Sequence, residues 1–290
     1  MWTLASIALT AGAVAAAEQL GKVPPQCEQR KGTARSSDGV PIAYSACGEG
    51  EPALVFIHGG LADRTFWSGQ LSAFFGRHRV VALDLAGHGE SGAARPKWGM
   101  PQFGEDVRAV IEAEKIGRVV LVGNSLGGPV AIEAALLLPG KTMAVVGVDT
   151  FQDLGGRIEG SEARSYADAW RKDFDLTLEQ MIRRLFHADT DPAFVASIKG
   201  RMSSPVTRAV LPAMFESFAG YDVGAAAQRV KAPIRCINGD LFPTDVEALR
   251  RIVPDFDAVV LPHTGHYPML ERTEEFNRKL REIVDSLQQR

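Results

Sequence analysis

At 290 residues the chain exceeds the roughly 100 to 200 of a typical domain, yet α/β folds reach this size as one core carrying an insertion. Its 32 basic and 35 acidic side chains are interspersed and leave a net charge of -3, which supplies no field to gather phosphate backbones or anionic lipid. Nucleic acid is therefore not an expected partner.

Residues 1–17 carry no charged side chain, residues 4–16 are small and apolar, and Ala15-Ala16-Ala17 precedes Glu18. This pattern predicts a signal peptide over 1–17, hence an exported protein, periplasmic or secreted, with no membrane span in its mature form. Cys27 and Cys47 lie ten residues either side of Ser37. Ser36-Ser37-Asp38-Gly39 is a turn signal between strand-like runs at 33–35 and 42–45, and a hairpin folded there brings the two cysteines together. A bridge between them would suit an oxidising compartment.

Further along, the runs 54–57, 80–83, 119–122, 144–148, 234–237 and 258–261 are too short and too continuously apolar for surface helices. They predict strands covered on both faces, with Cys236 as a buried free thiol. Helical text lies between them at 66–75, 102–114, 126–138, 246–252 and 274–287, the last with Thr273 as its cap. The alternation predicts a mostly parallel sheet wrapped by helices. Between 150 and 230 the strand rhythm lapses into charged, aromatic-bearing helical segments at 166–174 and 178–186. That stretch predicts a helical cap inserted at 151–230 in a core made of 18–150 and 231–290.

The run 119–122 stops on Gly123-Asn124-Ser125-Leu126-Gly127 and passes directly into a helix. A serine on such a strand-to-helix turn is pushed into the crevice at the carboxyl edge of the sheet. Its strained backbone needs small neighbours two positions away, which Gly123 and Gly127 supply. The first amides of the helix then face any oxyanion that develops beside the serine. Leu126 is one such donor; the other comes from His58-Gly59-Gly60-Leu61, with Gly60 the first choice and Leu61 the alternative. His58 is expected to brace this loop by hydrogen bonds.

Taken together, "HGG" at 58–60, "DLAGHGESG" at 84–92, "GNSLGG" at 123–128 and "GHYPMLE" at 265–271 resemble the α/β-hydrolase superfamily in order and spacing. The resemblance runs from about residue 32 to the C-terminus and implies an eight-stranded, mostly parallel sheet. It also implies a serine nucleophile at Ser125 and a base at His266, which closes the loop after the run 258–261 and stands last in chain order. An imidazole must take the proton of a hydroxyl during attack, because the hydroxyl alone is a poor nucleophile.

Many relatives carry the triad acid after the seventh strand as Gly-Asp-x-Asp. Here the stretch reads Gly239-Asp240-Leu241-Phe242, and Phe242 holds the acid's place. The haloalkane dehalogenase branch places a carboxylate after the sixth strand instead. Asp149, 24 residues beyond Ser125, fits that placement and is the preferred third member. Asp240 is the principal alternative, with Asp153 and Asp245 behind it, and Asp84 reads as structural.

These residues imply a serine hydrolase that cleaves a carboxylic ester, thioester or lactone through an acyl-enzyme. No His-Glu-x-x-His, Cys-x-x-Cys or P-loop occurs, so neither metal nor cofactor is implied. The expected partner is a small ester-like molecule. Phe151, Tyr166, Trp170, Phe215 and Phe218 are the aromatic candidates for lining its pocket, and Trp67 is expected to anchor the first helix. A non-catalytic ligand-binding member of the fold, or a cofactor-free perhydrolase or haloperoxidase-like enzyme, would use the same residues.

Overall fold

The computed structural model describes residues 27–202 and 204–287. The expected signal sequence at 1–17 lies outside the described residues. The chain enters through β1 (Arg30–Arg35) and β2 (Pro41–Cys47), an antiparallel hairpin pairing Arg35 with Pro41. Gly39 adopts φ 86° in the connecting turn, a left-handed conformation that glycine takes without strain. Cys47, at the end of the hairpin, is bonded to Cys27 with the Cα atoms 6.0 Å apart.

The remaining strands are β3 (Ala53–Ile57), β4 (Val80–Leu83), β5 (Val119–Asn124), β6 (Thr142–Val148), β7 (Ile234–Gly239) and β8 (Asp257–Leu261). They form one eight-stranded sheet in the order β1-β2-β4-β3-β5-β6-β7-β8, parallel from β4 to β8. β3, β4 and β5 are buried at every position, which explains their unbroken apolar text.

Among the described residues, three α-helices precede β6: α1 (Ser68–Phe74), α2 (Met100–Ala113) and α3 (Gly127–Leu137). The helical segment expected at 66–75 opens as a 3-10 turn, Arg64–Trp67, because the Asp63 carboxylate accepts from the Thr65 amide at 2.8 Å and tightens the start. Trp67 is fully buried within it. α2 is anchored by a fully buried ion pair between Arg95 and Asp106.

Between β6 and β7 come α4 (Gly160–Lys172), α5 (Phe174–Ile182), α6 (Pro192–Arg201), α7 (Pro205–Ser217) and α8 (Val223–Arg229). α4 and α7 pack through Trp170 stacked on Phe215 with centroids 6.2 Å apart. Tyr221 donates to the Glu133 carboxylate of α3 at 2.7 Å, and Thr207 donates to the Gly87 carbonyl at 3.0 Å. Both bonds fasten this helical segment to the sheet domain.

The chain closes with α9 (Val246–Arg250), α10 (Pro268–Glu271) and α11 (Thr273–Leu287). Thr273 opens α11 but does not cap it. Its hydroxyl donates backwards to the carbonyls of Met269 at 2.9 Å and Leu270 at 3.3 Å, tying α11 to the turn before it. The hydroxyl thus serves the carbonyls of the turn before it and not the forward amides, and the Met269 carbonyl accepts a second bond from the Gln70 side chain at 3.1 Å.

Candidate active site

Ser125 occupies the bend between β5 and α3 with φ 52°, a left-handed conformation uncommon for a residue with a side chain. The bend is closed by the Ser125 amide donating to the Val148 carbonyl at 3.1 Å and by the Gly128 amide donating to the Ser125 carbonyl at 2.9 Å. Glycine is required on both sides. A Cβ on Gly123 would lie 2.1 Å from the Gly127 carbonyl oxygen, and one on Gly127 would lie 2.4 Å from that of Ile57.

His266 stands on the loop between β8 and α10. Its Nδ1 lies 2.5 Å from Oδ2 of Asp149, whose side chain is entirely buried at the exit of β6. Asp149 has φ 44°, so this exit is also bent into the left-handed region. Its Oδ1 accepts from the Gly239 amide at 3.0 Å and from the Gln152 side chain at 3.1 Å. With both oxygens engaged, the carboxylate is held in one orientation, and Nδ1–H of the imidazole points at it. Gln152 lines the same cavity and holds the candidate acid, a contact that sequence reasoning misses, since a lone glutamine carries no motif to reveal it.

The competing acids have other partners. Asp240 accepts from the amides of His263 at 2.7 Å and Thr264 at 3.0 Å and from His187 at 2.8 Å. The two amides are the main reason its pKa falls to about 2. Asp153 accepts from the amides of Gly155 and Gly156 at 2.8 and 3.1 Å, and Asp245 caps α9 by accepting from Ala248 at 3.0 Å. Asp84 is buried, accepting from the Arg64 and Glu90 amides and pairing with the Arg64 guanidinium. The structure brings Ser125, His266 and Asp149 to one place and leaves the other four acids in loop and cap roles. Phe242 turns its ring perpendicular to that of His266, with centroids 6.4 Å apart.

His58 accepts from the Leu85 amide at Nε2, 3.0 Å away, and donates from Nδ1 to the Gly59 carbonyl at 2.7 Å. Burial holds its pKa below the ordinary histidine value despite the charge of Asp84 nearby, so it braces the loop as a neutral ring. His88 packs against it at 4.8 Å, and burial, followed by the repulsion two protonated rings at this distance would suffer, lowers the His88 pKa to about 3. In the braced loop Leu61 takes φ 64°. A Cβ on Gly60 would meet nothing within 4 Å, so the backbone there fronts open space.

Gly60, Leu61, Ser125, Leu126, Asp149 and His266 all line one cavity of about 480 Å³. Among the described residues lining it there is no lysine or arginine. Of the aromatic candidates, Phe215 and Phe218 face the cavity whereas Phe151, Tyr166 and Trp170 do not. Phe151 is core, Trp170 is buried behind Phe215, and Tyr166 is 46% exposed on the outer face of α4. Further apolar wall comes from Met181, Leu211 and Met214 on helices and from Leu185 in the bend after α5, ordinary side chains that no motif marks. Among the described residues no group of three or more His, Cys, Asp or Glu is arranged to hold a metal ion, and no helix is long and apolar enough to cross a membrane.

A sheet of this order with a tight strand-to-helix bend bearing a serine after β5 defines the α/β-hydrolase architecture. Residues 54–279 match the alpha/beta hydrolase family, and the chain belongs to it. It is 28% identical to the dihydrolipoyllysine-residue acetyltransferase component of the acetoin cleaving system of Pseudomonas putida, over 80% of this chain and 63% of that protein. The match thus spans less than two thirds of that relative's length. It is also 28% identical to the pimeloyl-[acyl-carrier protein] methyl ester esterase of Nitrosomonas europaea, over 78% of this chain and 92% of that protein. Among solved structures, an N-acyl homoserine lactone degrading enzyme superposes with TM-score 0.72 at 25% identity, covering 87% of this chain and 99% of its own.

Proposed function

We propose that this chain is an exported serine hydrolase that cleaves neutral carboxylic esters, thioesters or lactones with an apolar acyl or alcohol part. The observation that carries the reading is the 2.5 Å bond from His266 to buried Asp149, in a cavity that Ser125 also lines from a left-handed bend. The similarity to a methyl ester esterase and to a lactone-degrading enzyme supports it. The wall from α5 and α7 is apolar and without cations, which favours uncharged substrates over anionic ones. In this reading the segment 151–230 acts as the cap of the pocket. The Cys27–Cys47 bond supports export, since such bridges persist in oxidising compartments.

Ser125 Oγ attacks the carbonyl carbon while His266 Nε2 takes its proton. Asp149 stabilises the imidazolium through Nδ1, and the amides of Leu126 and Gly60 hold the oxyanion. Collapse breaks the bond to the leaving oxygen or sulfur, which receives the proton from His266. Water then attacks the acyl-serine with His266 as base, releasing the acid and returning the proton to Ser125.

Labelling with a fluorophosphonate probe, alongside turnover of nitrophenyl esters of increasing chain length and of lactones, tests the assignment. The wild type is expected to react and turn over, and Ser125→Ala to do neither. A folded wild type that resists the probe and hydrolyses none of the series is a binding module, and the reading fails.

A further inference from the structure

Five consecutive backbone amides carry the loop on which His266 sits, and each has its own acceptor. His263 and Thr264 donate to the two oxygens of Asp240, at 2.7 and 3.0 Å. Gly265 donates to Oε2 of Glu271 at 2.9 Å, and Tyr267 donates to Oε1 of the same carboxylate at 2.9 Å. The His266 amide between them donates to the Leu185 carbonyl of the helical insertion at 2.9 Å. The His266 carbonyl in turn accepts from the Asn124 side chain at 3.1 Å.

We propose that Glu271 is a positioning residue for His266, acting through the amides on either side of it. This rests on the hydrolase reading above. The chain reaches the geometry because α10 is a single turn, in which the Glu271 amide donates to the Tyr267 carbonyl at 2.9 Å and the side chain folds back over the residues it follows. A carboxylate suits the place because both oxygens accept. A glutamine must turn its NH2 toward one of the two amides, and an aspartate is one methylene short.

Burial raises the Glu271 pKa, and the two amides oppose that rise. Among the described residues no lysine or arginine forms a salt bridge with Glu271, so its charge is answered by the loop itself. Gly265 shows how tightly the loop is seated. A Cβ there would come within 2.5 Å of the Leu185 carbonyl and 3.0 Å of the Glu271 carboxylate. An imidazole that must stay in line with both Asp149 and the serine depends on this backbone, since a displacement of about 1 Å costs on the order of 10²-fold in rate.

The test compares wild type with Glu271→Gln and Glu271→Ala by ester kinetics, thermal melting and amide exchange at residues 265 and 267. Glu271→Gln is expected to melt as a folded protein, to lose about tenfold in kcat with KM within about twofold, and to leave one of the two amides exchanging faster. Glu271→Ala is expected to lose about 10²-fold in kcat. The charged groups acting on Glu271, Asp149 and His266, stay in place in both variants. Removing one negative charge beside the imidazole disfavours its protonated form, so the acid limb of the kcat/KM profile is expected to move to lower pH in Glu271→Gln.

Wild-type kcat, acid limb and amide protection in Glu271→Gln overturn the proposal while leaving the hydrolase reading intact. A change confined to KM also overturns it, by marking Glu271 as a substrate contact. A wild type that neither labels nor turns over removes both.

Discussion

The rings of Phe242 and His266 stand perpendicular with centroids 6.4 Å apart, so the place after β7 where a loop carboxylate could meet the imidazole is filled by hydrocarbon. Nδ1 turns the other way, to Asp149 at the exit of β6. Asp149→Asn is expected to lower kcat on a nitrophenyl ester by about 10³ to 10⁴, because the amide cannot hold the tautomer or stabilise the imidazolium. Asp240→Asn still accepts one loop amide and is expected to stay within about tenfold of wild type, in line with the loss of a hydrogen bond. The opposite ranking in steady-state kinetics moves the acid to β7.

Gly60 fronts the cavity, where an added Cβ would meet nothing within 4 Å, and its backbone is outside the left-handed region reserved for glycine. Gly60→Val therefore fits the loop and occupies substrate space. Preference is expected to shift toward shorter esters, with kcat/KM for the longest accepted chain falling about tenfold or more. An unchanged chain-length profile separates Gly60 from the substrate.

The Arg95–Asp106 pair has both side chains fully buried, and burial pushes the Asp106 pKa up against the pull of Arg95. Arg95→Met leaves that carboxylate without its cation and is expected to cost about 3 kcal/mol in urea denaturation. Adding Asp106→Leu is expected to recover part of the loss, because the uncompensated charge has gone. If the double variant is no more stable than the single, the penalty lies in packing around Trp98 and Phe103, whose rings sit 5.6 and 5.5 Å from the Arg95 guanidinium.

The Cys27–Cys47 bond closes a separation of 20 residues across the first hairpin. Reduction is expected to lower unfolding free energy by about 3 kcal/mol, the chain-entropy value for a loop of that length. Denaturation curves with and without dithiothreitol measure it. Coincident curves mean that the hairpin is held by β-pairing alone.

Stability is expected to decline as pH falls below 6.5. His88 has a folded pKa of about 3 against an ordinary 6.5, so between those values the unfolded chain binds the proton that the folded chain refuses. The contribution is intact above 6.5 and drains away toward 3; His58, shifted in the same direction, adds to the slope. Denaturation midpoints at pH 7.5 and 5 measure it, and His88→Phe is expected to flatten the dependence. A slope that persists unchanged in that variant assigns the acid sensitivity elsewhere.

Some of these features are legible in the linear text because they are built by neighbours. Gly123, Ser125 and Gly127 sit within one turn of each other, and the clash that demands Gly123 is with Gly127 inside the bend itself, although the one that demands Gly127 is with the Ile57 carbonyl of neighbouring β3. Ser36 to Gly39 closes the hairpin with bonds inside the turn, which is why spacing alone suggests the pairing of Cys27 with Cys47. The lining of the cavity is not legible. Met181, Leu185, Leu211 and Met214 follow helical spacing that serves equally for core, and their facing depends on how the insertion lies over the sheet. Thr273 looks like a forward cap in the sequence, whereas its partners are behind it, at Met269 and Leu270.

By itself the sequence determined the layered architecture and the bend that bears Ser125, since both arise from apolar periodicity and from steric demands a few residues apart. Only the tertiary structure decided which carboxylate meets His266, because Asp149 and Asp240 each end a strand and differ in which loop folds beside them. Glu271 and Gln152 bond to groups only three to six residues away, yet which group each side chain meets depends on how the turn of α10 and the exit of β6 are bent. A hydrogen bond is set by distance in space, and distance along the chain does not encode it.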